Sequence, residues 1–245
     1  VWRQALKSGK MGDRVGRAVA AVDPDAIIVT DWEQATPLWY YQWVEGLRPD
    51  VEIVYPAERL DEAAASGRPL YIARNHPGLA DRWHPSSRGP LIALNDEPVR
   101  DLPAGTESRG IHLGDTIELA GYAYGEAGYY PSTVVPLTLY WRALEAPAYD
   151  YSVSIRLFDD AGQELYKVDS QHPVLGTYPT SLWSAGEIVG DYYEIQLPTD
   201  LGPGTYQWGV ILYRALPEGG WENLKAGDTG SDVAVGGSFI VRERD

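Results

Sequence analysis

The chain has 245 residues, a formal net charge of −15 and no cysteine, so it can bury a core but offers no disulfide, thiolate metal site or cysteine nucleophile. The negative charge argues against nucleic acid as a partner, because phosphate binding needs a basic face. The aromatic residues are 17 Tyr and 9 Trp against 2 Phe, so most rings carry a polar atom that can meet water or a ligand.

The first predicted element is an amphipathic helix that ends before Asp23. Its apolar face, which we expect to point inward, is formed by Leu6, Val15, Val19 and Val22. Its basic residues are Arg3, Lys7, Lys10, Arg14 and Arg17. Contact with a membrane surface is the alternative for this helix.

Because the chain opens on Val1 rather than Met, we expect it to be a segment of a longer protein.

The next segment alternates buried strands with helices. The apolar runs at 26–31, 51–56 and 69–74 predict three strands, and the intervening stretches predict two helices that end at Gly46 and Gly67. Right-handed crossovers make the strands parallel and bring their carboxyl ends to one edge. We therefore predict a small three-stranded parallel α/β (βαβαβ) unit over residues 1–95, with the N-terminal helix in front.

Residues 75–110 are rich in Pro and Gly, and Leu91–Leu94 is their one apolar run. This composition predicts irregular chain with one strand, and a linker over 96–110. From residue 111 to 245, alternating apolar and polar residues predict an antiparallel β-sandwich of seven to eight strands. The fold class is thus a two-part α+β arrangement. Seven strands are drawn at 116–124, 134–143, 151–159, 164–170, 192–197, 205–215 and 238–243.

Two features of the sandwich sequence predict local structure. Asp159-Asp160-Ala161-Gly162 is typical of a tight hairpin turn. Tyr206 follows a Gly/Pro turn at a strand entrance, which resembles the tyrosine corner of sandwich folds and indicates a structural role.

Two stretches carry a family resemblance. GIHLGDTIELAGYAYGE, with the segments that follow it to GTYQWGVILY, looks like the C-terminal β-sandwich of bacterial membrane proteins of the dolichyl-phosphate-mannose mannosyltransferase and aminoarabinose-transferase type. AIIVTDWEQATPLWYYQWVEGLRPDVEIVYP is similar to the small α/β region that follows the last membrane span in related proteins. The resemblance implies a lipid-linked sugar transferase whose catalytic acidic residues lie in a membrane domain outside this chain.

Several expectations follow from that resemblance. The chain would lie on the extracytoplasmic face of a bacterial membrane, anchored by the membrane domain of its parent protein. Its partners would be that domain and a glycan or a polyprenyl-phosphate sugar. No residue matches the catalytic motif, so no catalytic residue is assigned. The basic N-terminal helix fits this side less well, because positive charge favours the cytoplasmic face.

Standard motifs for other chemistry are absent from the sequence. There is no GxGxxG, P-loop, GxSxG or HExxH pattern, and the four His residues do not fall at metal-ligand spacing. We therefore predict no cofactor and no metal ion.

The sharpest cluster of polar residues is expected at the edge of the α/β sheet. Asp31 and Trp32 follow one strand, and Arg74 and His76 follow another, so together they are a candidate phosphate or sugar site. The favoured alternative is helix capping by Thr30 and Asp31 together with a surface ion pair of Arg74. The ring-rich helix segment Trp39–Trp43 is expected in a core or an interface.

Five aromatic residues of the sandwich are possible carbohydrate contacts, namely Tyr178, Trp183, Tyr192, Trp208 and Trp221. Trp183 is the best single candidate because it lies in a long loop. The alternative is that Trp183 closes one end of the sandwich as a buried ring.

The leading hypothesis is a non-catalytic, extracytoplasmic region that supports glycan or acceptor binding, or protein contacts. The second is a free-standing carbohydrate-binding protein, which a cleft lined with exposed Trp or Tyr would favour. The third is an enzyme that uses the α/β edge, which requires Asp31, Arg74 and His76 to converge.

Overall fold

The structure, a computed structural model, describes residues 10–125, 128–227 and 230–243. The chain divides into two compact units, Val1–Glu97 and Pro98–Asp245. Within the described residues, no helix combines the length and the apolar character needed to cross a bilayer.

In its described residues, 10–97, the first unit has three α-helices and five short strands. The helices are α1 (Lys10–Ala20), α2 (Trp32–Trp43) and α3 (Leu60–Ala64). The strands are β1 (Ile27–Val29), β2 (Glu52–Val54), β3 (Leu70–Ile72), β4 (His84–Arg88) and β5 (Leu91–Asn95). Single 3₁₀ turns cover Ala57–Arg59 and Leu79–Asp81.

The sheet of this unit is mixed and five-stranded, in the order β2-β1-β3-β5-β4. Strands β2 and β3 pair in parallel with β1, whereas β5 pairs antiparallel with β3 and β4. The sequence predicts a three-stranded parallel sheet, so the hairpin of β4 and β5 is a correction. Strand β4 has the polar sequence HPSSR, which shows no apolar alternation, and Gly89 at φ 58° makes the turn that returns it to β5.

Helix α1 packs its apolar face onto this sheet. Val15, Val19 and Val22 are buried in one cluster with Ile28 of β1 and Tyr71 of β3. The inward orientation predicted for these three valines is therefore confirmed. Among the other residues named for this helix, Leu6, Arg3 and Lys7 lie outside the described residues.

The part of the second unit that the structure describes has ten strands in two sheets. They are β6 (Glu107–Leu113), β7 (Ile117–Tyr124), β8 (Gly128–Tyr129), β9 (Val134–Ala143), β10 (Ser152–Phe158), β11 (Glu164–Ser170), β12 (Ile188–Gln196), β13 (Gly204–Ala215), β14 (Trp221–Asn223) and β15 (Ala234–Val241). One sheet has the order β11-β10-β13-β15-β8 with β14 added beside β13, and the other has the order β12-β9-β7-β6. All pairs are antiparallel except that of β8 with β15.

The two sheets pack face to face as a β-sandwich. The ring of Tyr122 on β7 meets the ring of Trp208 on β13 edge-on, with 5.0 Å between centroids, and Tyr124 on β7 meets Phe239 on β15. Trp208 and Trp141 are fully buried. These large rings fill the space between the sheets and supply much of the apolar burial that holds them together.

Each of the seven strands drawn from the sequence is present, and β6, β8 and β14 are additional. Most of the stretch predicted as a linker, 96–110, lies within the second compact unit, which begins at Pro98. Val99 accepts a 2.7 Å hydrogen bond from the amide of Ile188, and strand β6 begins at Glu107, so this stretch belongs to the second unit.

The two local turn predictions also hold. The amide of Gly162 donates to the carbonyl of Asp159 at 3.1 Å, which closes the hairpin between β10 and β11. The hydroxyl of Tyr206 donates to the carbonyl of Gly202 at 2.9 Å, four residues upstream, as in a tyrosine corner.

Candidate functional site

The predicted site at the edge of the first sheet is only partly assembled. Asp31 and Arg74, which follow β1 and β3, form an ion pair through Oδ2 and Nε. His76 instead uses Nδ1 in a 3.0 Å contact with the carbonyl of Pro77. Trp32 is 61% exposed. The structure thus joins Asp31 to Arg74, while the contact shown for His76 is within its own loop.

This ion pair determines what the edge can bind. Asp31 occupies the N-cap position of α2, yet its side chain makes no capping hydrogen bond there, because the carboxylate faces Arg74. A phosphate or another anion would have to compete with that carboxylate for the guanidinium. The edge is therefore a poor anion site as it stands.

A small cavity lies beside His76. It measures about 220 Å³ and is lined by Ala57, Glu58, Leu60, Asp61, His76, Pro77, Gly78, Leu79, Arg82 and Trp83. Arg82 is held by Asp61 at 2.5 Å and lies over the ring of Trp83 at 4.2 Å. Since ligand pockets usually enclose roughly 300–1,000 Å³, this cavity is too small for more than a fragment.

Helix α2 carries part of its aromatic cluster on the surface. Trp39 and Trp43 stack with 5.5 Å between their centroids, and Tyr55 meets Trp39 edge-on. Trp43 is 73% exposed, whereas Trp39 is half-buried. None of the four rings of the cluster is fully buried, so the structure does not place the cluster in the core, and the alternative of an interface stays a prediction.

Trp183, the leading candidate of the sandwich, is buried. Its ring is 2% exposed and packs beside Tyr178 with 6.2 Å between centroids. A sugar platform needs an exposed ring, so Trp183 does not provide one in this structure. Tyr178, Tyr192 and Trp208 are buried too. Of the five aromatic candidates, Trp221 alone is well exposed, at 68%.

Trp221 borders the larger cavity, which we call the Trp221 groove. It measures about 490 Å³, within the range of ligand pockets. It is lined by Tyr149, Asp150, Ser152, Asp169, Ser170, Gln171, His172, Tyr213, Arg214, Ala215, Pro217 and Trp221. These residues come from the start of β10 and the ends of β11 and β13, with β14, so one end of the six-stranded sheet builds the whole groove.

Strand periodicity places part of the groove lining on the outer face of the sheet. Leu212 on β13 is fully buried, so its neighbour Tyr213 points outward, where it pairs with Ser152 of β10. Ala215 pairs with Trp221 of β14. The alanine side chain is small, which leaves room for the indole beside it.

The hairpin from β13 to β14 fixes Trp221 in position. The amide of Leu216 donates to the carbonyl of Gly220 at 3.1 Å, and Gly219 donates to Leu216 at 3.0 Å. Gly219 and Gly220 have φ of 94° and 89°, a region that glycine adopts without steric cost. The turn thus requires glycines and sets Trp221 directly after them.

Four aromatic and charged side chains of the groove, Tyr149, Tyr213, Arg214 and Trp221, are held by contacts with their neighbours. The guanidinium of Arg214 lies 3.6 Å above the ring of Tyr149, and its Nε contacts Oε2 of Glu222 at 2.5 Å. Glu222 raises the pKa of Arg214 above its usual value through this hydrogen bond. Tyr213 meets Trp221 edge-on with 5.4 Å between centroids. Tyr149 is 51% exposed, so part of its ring remains available to a ligand.

The opposite rim of the groove is acidic and hydroxyl-bearing. Burial raises the pKa of Asp169, but hydrogen bonds from Ser154 and Lys167 outweigh it, so the pKa of this carboxyl lies below its usual value. Asp169 is therefore ionised at neutral pH. The carboxylate of Asp150 accepts a 3.1 Å hydrogen bond from the amide of Ser181, and Asp150 is exposed.

This arrangement suits a sugar. A pyranose has an apolar face that stacks on an exposed ring, and hydroxyls that pair with carboxylates, amides and hydroxyls at the rim. Trp221 and Tyr149 offer the rings, and Asp150, Ser152 and Gln171 offer the polar partners. Within the described residues, no cluster of three or more His, Asp or Glu could hold a metal ion.

The sequence contained one signal for this groove that the loop-length argument overlooked. Trp221 stands in the segment PEGGWENLK, where polar residues and glycines flank it, so it has no apolar neighbours with which to enter a core. Tyr149, Arg214 and Asp169 could not be identified in this way, because they come together only through strand pairing.

Comparisons with known proteins give little further information. The sequence matches no protein-family model and no curated protein. Among solved structures, the chain is similar to the C-terminal domain of Wzt, with 14% identity and a TM-score of 0.40 over 61% of this chain and 84% of that one. It is also similar to the sporulation control protein Spo0M from Bacillus subtilis, with 14% identity and a TM-score of 0.26 over 53% of this chain and 49% of that one. At these TM-scores neither likeness establishes a shared fold or function.

Proposed function

We propose that this chain is a non-catalytic carbohydrate-binding region whose second unit holds an oligosaccharide in the Trp221 groove. The observation that carries the proposal is that the exposed indole of Trp221 and the exposed ring of Tyr149 line the same groove of about 490 Å³. A soluble surface rarely presents two such rings beside unfilled volume unless a ligand covers them.

The groove supports this proposal better than the edge of the first sheet does. At that edge Arg74 is already paired with Asp31, and the cavity beside His76 is less than half the volume of the groove. Enzyme action there would need Asp31, Arg74 and His76 around one substrate, whereas the contact shown for His76 is with Pro77.

We further propose that the chain is an extracytoplasmic part of a bacterial membrane protein of the glycosyltransferase-like type. There it would hold a glycan or a sugar acceptor for a membrane domain. Support comes from the sequence resemblance alone. The coding sequence that precedes Val1 tests the proposal: membrane spans there support it, and a secretion signal directly before Val1 favours a free-standing carbohydrate-binding protein instead.

The binding proposal is tested with a glycan array on the whole chain and its Trp221→Ala variant. Covering an indole face is worth about 1.5–3 kcal/mol, so the variant should lose at least about tenfold in affinity for the glycan that the wild type binds. Titration calorimetry with that glycan checks the size of the loss.

Trp43→Ala is the matched control, because Trp43 is as exposed as Trp221 but lies in the first unit, outside the groove. The control should bind as the wild type does. An equal loss in both variants, or no glycan binding by the wild type, would show that the Trp221 groove is not a carbohydrate site.

A further inference from the structure

We infer that the Trp221 groove selects neutral oligosaccharides over anionic ones, and that Glu222 sets this preference by occupying Arg214. The inference rests on the proposed carbohydrate-binding function and names the ligand class of the same site. It goes further in assigning a specificity role to Glu222, a residue that does not line the groove.

Arg214 is the one arginine or lysine among the residues that line the groove. An anionic sugar, with its carboxylate or sulfate, would be drawn to a free guanidinium, often through two parallel hydrogen bonds. Here Nε is taken by Glu222 at 2.5 Å, and the plane of the group lies on Tyr149 at 3.6 Å. The positive charge is therefore neutralised by Glu222, and its position is fixed.

The remaining charges of the groove repel anions. Asp150 and Asp169 both line it, and the pKa of Asp169 lies below its usual value, so this carboxylate keeps its charge at neutral pH. Lys167 lies 3.2 Å from Asp169 and balances it in part. The net charge of −15 adds a general repulsion toward anionic glycans.

Neutral sugars meet none of these obstacles. Their hydroxyls donate hydrogen bonds to Asp150 and Asp169, which can only accept when ionised. The apolar faces of neutral sugars stack on the rings of Trp221 and Tyr149. Glu222 lies next to Trp221 and pairs with Arg214 across β13 and β14, so the hairpin that presents the stacking ring also positions the carboxylate that neutralises the arginine.

The test uses Glu222→Gln in the whole chain. Glutamine keeps the shape of the side chain but removes its charge, which releases Arg214 for an anionic ligand. The probes are cellotetraose, mannotetraose and galactotetraose, each beside the form whose C6 carbons are oxidised to carboxylates. The measured quantity is the ratio of the dissociation constants for the oxidised and the neutral form.

Glu218→Gln is the matched control. Glu218 is exposed in the same hairpin and does not line the groove, so its substitution changes the net charge equally without releasing Arg214. The wild type and Glu218→Gln should bind a neutral tetrasaccharide at least about tenfold more tightly than its oxidised form. In Glu222→Gln this ratio should fall about tenfold, mainly through tighter binding of the oxidised form.

The outcomes separate the inference from the proposed function. The inference fails if the wild type binds oxidised and neutral forms equally, or if Glu222→Gln shows the same binding ratio as Glu218→Gln. In either case, loss of glycan binding in Trp221→Ala would still support the carbohydrate site. Binding of none of the six tetrasaccharides would overturn the inference, and a blank glycan array would overturn the proposed function.

Discussion

Gly236 on β15 has no side chain because the ring of Trp208 fills the space that one would need. A Cβ built at Gly236 would lie 1.8 Å from the indole, and Trp208 is fully buried between the sheets. Gly236→Ala should therefore destabilise the second unit by about 3 kcal/mol, at the upper end of overpacking costs. Urea unfolding followed by Trp fluorescence measures the loss.

Gly202→Ala is the control for that prediction. No atom lies within 4 Å of a Cβ built there, so the variant should unfold within about 0.5 kcal/mol of the wild type. Equal stability of Gly236→Ala and Gly202→Ala would mean that the packing of Trp208 against β15 is looser than described.

At the same residue scale, the sequence named Trp183 and Trp221 among its possible carbohydrate contacts and preferred Trp183, which the structure buries. Trp183 was favoured by its long loop, yet Tyr178 packs against it and the loop folds inward. Exposure is decided by tertiary packing, which loop length does not report. The polar neighbours of Trp221 were a better guide to an exposed ring. The contact of Arg214 with Tyr149 joins residues far apart in sequence and had no local signal.

At the scale of elements, Asp191 ties strand β12 to the turn Pro173–Gly176. It accepts hydrogen bonds from the amide of Val174 at 2.8 Å, the hydroxyl of Tyr193 at 2.6 Å and the indole of Trp141 at 3.2 Å. Burial favours the neutral carboxyl and raises the pKa of Asp191 to about 6, although the three hydrogen bonds lower it in part.

The raised pKa of Asp191 stabilises the folded chain more at low pH than at high pH. The folded chain holds the Asp191 proton more tightly than the unfolded chain, whose pKa is near 3.8, so the stabilisation is complete below about pH 4 and is lost as pH rises through 6. The free energy of unfolding of the wild type minus that of Asp191→Asn should fall by about 3 kcal/mol between pH 4 and pH 8. Urea unfolding across this range measures it.

Subtracting the variant is necessary because other carboxyl groups, such as Asp50 and Asp232, have lowered pKa values and change stability in the opposite direction. Asp200→Asn, at an exposed position of the loop after β12, serves as the control for the removal of a surface carboxylate. A flat difference for Asp191→Asn would indicate that its carboxyl does not titrate in this range.

The elements differed in how well the sequence predicted them. The bounds of strands β9 and β13 were predicted to within one residue, because long runs of alternating apolar and polar residues indicate a half-buried strand. Strand β6 is exposed over most of its length, and β14 spans three exposed residues, so neither shows alternation. Strand β4 buries serines rather than apolar side chains. Such strands are fixed by their partners and are not visible in their own sequence.

At the scale of the whole molecule, the division into two units makes a prediction about where binding resides. Every residue that lines the Trp221 groove lies between Tyr149 and Trp221, inside the unit Pro98–Asp245, and the strands that carry them pair only within that unit. The unit also has its own buried core around Trp208 and Trp141.

A fragment of residues 98–245 should therefore fold alone and bind the glycan of the whole chain with an affinity within roughly twofold of that of the whole chain. Near-ultraviolet circular dichroism checks the fold, and titration calorimetry checks the affinity. The fragment 1–97 should show no binding to the same glycan. A folded 98–245 fragment that has lost binding would contradict the prediction, because it would place part of the ligand contact in the first unit.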